Sequence, residues 1–206
     1  MAPTIVLISG ANRGLGKGLL AQYISKSDHI VIAANRDPSH PTSKALSKLP
    51  TGVNSKLVVI KTDGSSPTSA QTAIDTLPSL GINHLDLVIA NAGVSYAWPS
   101  VIDLKIEDLE GHFIPNVYGA GSEMGYYWEH GGDDYYHMKQ PLSSHLEPTT
   151  HPNGAHGPSK AAIHWLTKRM NVENPPLNAF VLDPGWCQTE LGNAGAVYFG
   201  MDQAAV

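Results

Sequence analysis

Cysteine is almost missing from this sequence: one residue, Cys187, among 206. A lone thiol forms no internal disulfide, which suits a reducing compartment and excludes a cystine-stapled scaffold. Charged residues are sparse at 15% and lean acidic, giving a net charge of −5 and a pI near 6.0. That balance argues against nucleic acid or an anionic membrane as the main partner. No run approaches the roughly 18 apolar residues of a membrane span. The opening MAPTIVLISG has no basic residue before its short apolar stretch, so it reads as a first strand and not a signal peptide. Internal repeats are lacking too. What is left is a globular composition, 42% hydrophobic, long enough for one domain over 1–206 with its own core. A cytoplasmic setting is expected.

The first half alternates strand and helix patterns. TIVLIS (4–9) is an unbroken β-branched run, as in a strand buried on both faces. HIVIAA (29–34), KLVVIK (56–61) and LDLVIA (85–90) repeat the signal, with helical spacing in GKGLLAQYISKS and SAQTAIDTLPSL between them. Strands separated by helices indicate a parallel sheet with right-handed crossovers, a doubly wound α/β fold. From Gly119 to Gly154 the text changes, with five aromatics, many Gly and Pro residues and no clean period. The stretch HMKQPLSS reads as a poor central strand. SKAAIHWLTKRM then restores a helix and NAFVLD (178–183) a strand.

SGANRGLGKG follows the first strand and opens a helix. Gly10, Gly14 and Gly16 permit a tight turn and let the backbone approach a pyrophosphate on the positive end of that helix. The end of the second strand should meet an adenosine ribose. An acidic residue there selects NAD, but this sequence has Asn35 and Arg36, with Arg13 inside the turn. Two guanidinium groups favour the 2′-phosphate of NADP(H) through charge-assisted hydrogen bonds. The plainer alternative makes Arg36 a solvated loop residue. Asp63 after the third strand could reach the adenine, though an Asp in a turn needs no ligand to explain it.

Six of the ten histidines lie between residues 112 and 156. His130, Asp133, Asp134 and His137 share one short stretch, but without a recognised ligand spacing a solvated polar loop is the plainer account. No metal is expected. A serine hydrolase is set aside as well, because Ser143 lies in PLSSH and not in a G-x-S-x-G elbow.

As a set these motifs resemble the short-chain dehydrogenase/reductase family, and within it a fungal ketoreductase-like branch. SGANRGLG, NAG at 91–93, Asn116 in HFIPNVYG, Ser159–Lys160 and PGW at 184–186 followed by Thr189 carry the resemblance. It implies a Rossmann fold, NADP(H), a small carbonyl substrate of secondary-metabolite type, and in many members a homo-oligomer. Gly10, Asn12, Arg13, Gly14, Leu15 and Gly16 would hold the pyrophosphate and the 2′-phosphate end. Asn91, Ala92 and Gly93 would contact the ribose, and Pro184, Gly185 and Thr189 the carboxamide. Lys160 would bind the nicotinamide ribose, Asn116 a water of the proton relay, and Ser143 or Ser144 the substrate carbonyl.

One position departs from the pattern. The family's acid is a tyrosine four residues before the lysine, and here that residue is His156. Imidazole titrates near neutrality without help. Its reach is shorter than a phenol's, which shifts the reacting atom by more than ~1 Å, enough to matter for rate. Three readings stay open. The first is a reductase in which His156, or a phenol such as Tyr135 or Tyr136, replaces the tyrosine. The second is a non-redox enzyme using His156 as base, and the third a catalytically inactive binding protein. The middle segment keeps its family length yet lacks the usual apolar helix, and the C-terminal end reads as shortened.

Overall fold

The computed structural model describes residues 2–122, the backbone of 136–139, and residues 151–175 and 177–201. Strands β1 (Thr4–Ser9), β2 (His29–Asn35), β3 (Lys56–Lys61), β4 (Leu87–Ile89), β5 (Tyr136–Lys139) and β6 (Asn178–Val181) form one sheet. Its order is β3-β2-β1-β4-β5-β6, with every pairing parallel. The chain winds outward from β1 to β3, then returns to the far side of β1 as β4. That reversal leaves a crevice at the carboxyl ends of β1 and β4, the switch point of a Rossmann-like doubly wound sheet.

Alternate side chains of β1 feed two cores. Ile5 and Leu7 join Ile32, Val58, Ile74, Ile163 and Met170 on one face. Val6 and Ile8 join Leu20, Ile24, Val31 and Leu46 on the other. So α1 (Gly14–Ile24) covers one face, while α3 (Ser69–Thr76) and α5 (His156–Glu173) cover the opposite one. Each fully buried Leu or Ile contributes about 1.5–3 kcal/mol, which makes β1 the best-anchored strand.

Boundaries shift where proline intervenes. The helix expected over 69–80 ends at Thr76, and Pro78, which has no N–H to donate, opens a separate 3₁₀ turn. α5 begins at His156, since Pro158 is tolerated in a first turn. The stretch read as a poor central strand supplies β5 instead. It pairs with β6 over four residues and meets β4 at Val88↔His137. Neighbouring strands on both sides provide what the local pattern lacks. Beyond β6 the chain forms α6 (Glu190–Tyr198), and the single turn α2 (Pro41–Lys44) follows β2.

α4 (Ile106–Phe113) runs on into a π-helical stretch, Ile114–Gly119. Pro115 breaks the ordinary hydrogen-bond ladder there, and the widened turn buries Asn116. Gly119 packs so closely on the β3–α3 turn that a side chain would strike the Gly64 carbonyl oxygen. Among the described residues no helix is long and apolar enough to cross a membrane.

Candidate active site

The segment after β1 turns sharply because Gly10 (φ +63°) and Gly14 (φ +52°) take left-handed conformations that side chains disfavour. At Gly16 a Cβ would collide with the Gly10 carbonyl oxygen and the Asn91 amide. Asn91 explains the crowding: its Nδ2 donates to the carbonyls of Ser9 at 3.0 Å and Gly10 at 3.3 Å. Beside it the Ala92 N–H donates to Ser9 Oγ at 3.0 Å. The carboxyl ends of β1 and β4 are thus laced together, with Leu15 half-buried behind the turn. Each such bond is worth about 1 kcal/mol net.

α1 starts without an acidic residue in its first turn and without a side-chain cap, so its N-terminal amides stay open. Thr189 lies opposite, its Cγ2 3.6 Å from where a Cβ on Gly14 would sit. Thr189 caps α6, with Oγ1 accepting from the Gly192 N–H at 3.0 Å. Arg13 and Glu190, the neighbours of these two residues, form an exposed ion pair at 3.2 Å. The positive ends of two helices therefore meet at one spot. Gly185 (φ +68°) makes the turn after β6, where its N–H donates to Asp183 Oδ1 at 2.9 Å, just past Pro184.

At the end of β2, Arg36 is exposed and Asn35 is buried. Asn35 donates to Ser43 Oγ at 3.3 Å, while its Oδ1 has no donor among the described residues. Asn12 reaches from the glycine turn to Thr42 Oγ1 at 2.7 Å. Asp63 closes a local turn, accepting from the Ser65 N–H at 2.9 Å and donating its own N–H to Ser69 Oγ at 2.8 Å.

The other side of the crevice holds Lys160, Asn116 and His156, all buried. A Cβ on Gly93 would lie 3.0 Å from Asn116 Oδ1 and 3.5 Å from Lys160 Nζ. Asn116 clamps the β4 exit, accepting from the Val94 N–H at 2.8 Å and donating to the Val94 carbonyl at 2.9 Å. It also donates to Ser159 Oγ at 3.1 Å, and Ser159 donates to the His156 carbonyl at 2.7 Å. Burial pulls the Lys160 ammonium from 10.5 down to about 8, since no carboxylate pairs with it among the described residues. The His156 ring sits at the start of α5, edge-to-face with His112 at 5.9 Å.

The sequence-derived residues that are described gather around one crevice, apart from Arg36 and Asp63, which follow β2 and β3. Ser143, Ser144, Tyr135 and the cluster His130, Asp133 and Asp134 lie outside the described residues, as do the side chains of Tyr136 and His137. Among the described residues no three His, Cys, Asp or Glu side chains converge as a metal site. His112, Thr42 and Glu190 are site neighbours that no sequence motif marks. Only His112 had a signal, its i, i+4 spacing from Asn116 on one helix face.

A family model described as short chain dehydrogenase matches residues 4–121. The chain belongs to that family. The chain is 34% identical to the norsolorinic acid ketoreductase nor1 of Dothistroma septosporum, covering 98% of this chain and 78% of that protein. It is 30% identical to the norsolorinic acid ketoreductase of Aspergillus parasiticus, over 98% of this chain and 77% of that one. An NADPH-bound carbonyl reductase from chicken fatty liver shares the fold, with a TM-score of 0.81 at 21% identity, covering 93% and 83% of the two chains.

Next to the crevice the protein is aromatic. Phe199 lies 5.7 Å from Trp98, 4.7 Å from His151 and 6.4 Å from Trp186. These rings come from the β4–α4 connection, the lead-in to α5, the turn after β6 and the end of α6. The Gly154 N–H donates to the Pro99 carbonyl at 2.8 Å, which ties the first two segments together beside His156.

Proposed function

We propose that this protein is an NADP(H)-dependent ketoreductase acting on a small carbonyl compound of secondary-metabolite type, with His156 standing where the family has tyrosine. The observation that carries the reading is Lys160. A buried ammonium with no carboxylate partner among the described residues, poised over Gly93 at the switch-point crevice, needs neutral oxygen acceptors, and the hydroxyls of a nicotinamide ribose are such acceptors. The names of the two ketoreductase relatives support the carbonyl chemistry.

The chain fits the dinucleotide. At Gly16 the turn leaves no room for a side chain, and the converging ends of α1 and α6 favour a pyrophosphate anion. Gly10, Asn12, Arg13, Gly14, Leu15 and Gly16 would hold the pyrophosphate, and Arg36 the 2′-phosphate. The unsatisfied Oδ1 of Asn35 would accept from the adenosine ribose 3′-hydroxyl. Asn91, Ala92 and Gly93 would line the ribose, and Asp63 the adenine edge. Pro184, Gly185 and Thr189 would frame the carboxamide. When bound, NADPH supplies the hydride. His156 donates a proton to the carbonyl oxygen, and Asn116, fixed by Val94 and Ser159, orients a water that returns the proton. Lys160 anchors the ribose. Ser143 would polarise the carbonyl.

The test is a fluorescence titration with NADPH and NADH, followed by a panel of aryl and alkyl ketones. Tight NADPH binding with ketone reduction, lost in His156→Ala, is the expected result. Absence of binding at millimolar NADPH overturns the reading in favour of an inactive scaffold. If NADPH binds, no ketone is reduced, and His156→Tyr gains reduction, His156 is not the acid.

A further inference from the structure

The reductase reading leaves one buried imidazole without a task. His112 on α4 is completely buried, and its ring stands edge-to-face with His156 at 5.9 Å. Both of its nitrogens are occupied. Nδ1 lies 2.7 Å from the Asp108 carbonyl, which can only accept, so Nδ1 carries the proton. Nε2 then accepts from the Tyr96 backbone N–H at 3.3 Å. With one nitrogen donating to a carbonyl and the other filled by an amide, the ring has no proton to pass to His156. Its contact with His156 is a ring edge, so any influence on the reaction acts through position.

What His112 positions follows from its spacing to Asn116. The two side chains lie one turn apart on α4 and its π-helical continuation, and they hold alternate residues of the β4 exit. Asn116 holds Val94 through both backbone groups, and His112 holds Tyr96 through its N–H. The Tyr96 ring then stacks on the His112 ring at 4.5 Å, with 23° between the planes. Its hydroxyl lies over Gly111, where any side chain would collide with it. Remove the Nε2 acceptor and the Tyr96 N–H loses its partner, the stack loosens, and the wall behind His156 moves with it.

We propose that His112 is a positioning residue: its neutral Nδ1–H ring clamps Tyr96 over α4 and thereby fixes the imidazole of His156. The reductase reading is needed only for the kinetic arm of the test. Three variants separate what the ring provides. His112→Gln keeps an acceptor where Nε2 lies, His112→Asn keeps a donor near Nδ1, and His112→Phe keeps the ring but neither hydrogen bond.

Side-chain ¹H–¹⁵N spectra of the wild-type protein should show His112 as the neutral Nδ1–H tautomer, with the Tyr96 amide shifted downfield by its imidazole acceptor. In His112→Phe and His112→Asn the His156 ring resonances should move, and in His112→Gln they should return toward wild type. In ketone reduction kcat should fall about 10- to 100-fold for Phe and Asn, the range that small misplacements of a reacting group produce. Gln should recover most of that loss, with the NADPH dissociation constant within about 2-fold throughout. An Nε2–H tautomer in the wild type overturns the clamp without any assay of activity. So does equal behaviour of Gln and Phe, which would reduce His112 to packing. If no ketone is reduced by the wild type, the spectral arm alone decides, and the reductase reading falls separately.

Discussion

Lys160→Met should stabilise the cofactor-free protein, although it removes a residue assigned to the site. Moving an amine from 10.5 to about 8 corresponds to about 3 kcal/mol at roughly 1.4 kcal/mol per pH unit. Only 6% of the residue is exposed, so solvent relieves little of this cost. Below pH 8 the lysine is charged in both folded and unfolded chains, and the folded state bears the full penalty. Between about pH 8 and 10.5 the folded lysine sheds its proton while the unfolded one keeps it, so wild-type stability rises with pH. Methionine has similar length and no charge, and it fills the site with little strain. At pH 7 the variant should therefore melt about 6–12 °C higher, at roughly 2–4 °C per kcal/mol for a chain of this size. The gain should shrink as pH rises from about 8 and approach zero only above about 10.5. The assay is a pair of thermal melts at each pH, and NADPH affinity should drop in the same variant. A difference in melting temperature that stays constant from pH 7 to 10 would refute the argument, because the ammonium would then not be desolvated.

Arg36→Asp should weaken NADPH binding at least tenfold more than NADH binding, measured by fluorescence titration, and equal losses would remove the 2′-phosphate role. Gly119→Ala drives a methyl group into the Gly64 carbonyl and should cost about 2–4 kcal/mol in urea unfolding. A cost below about 0.5 kcal/mol would mean that the π-helical turn can slide away. Asn91→Ala strips the Ser9 and Gly10 carbonyls of a shared donor, so amides at the β1–β4 junction should exchange hydrogen faster than amides in β3. Uniform exchange across the sheet would contradict that lacing.

What could be seen in the sequence was what is encoded locally. β1 and β3 appear at their expected limits because an apolar β-branched run needs no distant partner to be recognised. The glycine turn and the helix that carries Lys160 were legible for the same reason: both are written in adjacent residues. β5 was not, because its strand character comes from β4 and β6 on either side. Thr42 and Glu190 were invisible, since their contacts join residues 30 and 177 positions apart. His112 lay between these cases, close in sequence to Asn116 yet meaningful only once the Tyr96 amide had folded back onto it.

The exposed Arg13–Glu190 pair bears on the speed of ligand entry more than on its strength. At 66% and 81% side-chain exposure it is worth well under 1 kcal/mol, too little to compete with a pyrophosphate for long. While it is closed, however, a carboxylate rests where the positive ends of α1 and α6 meet, in the way of an arriving anion. Added salt weakens long-range attraction of the ligand, but it also opens this pair. The two effects oppose each other, so association should depend less steeply on ionic strength than the dinucleotide's charge alone would dictate.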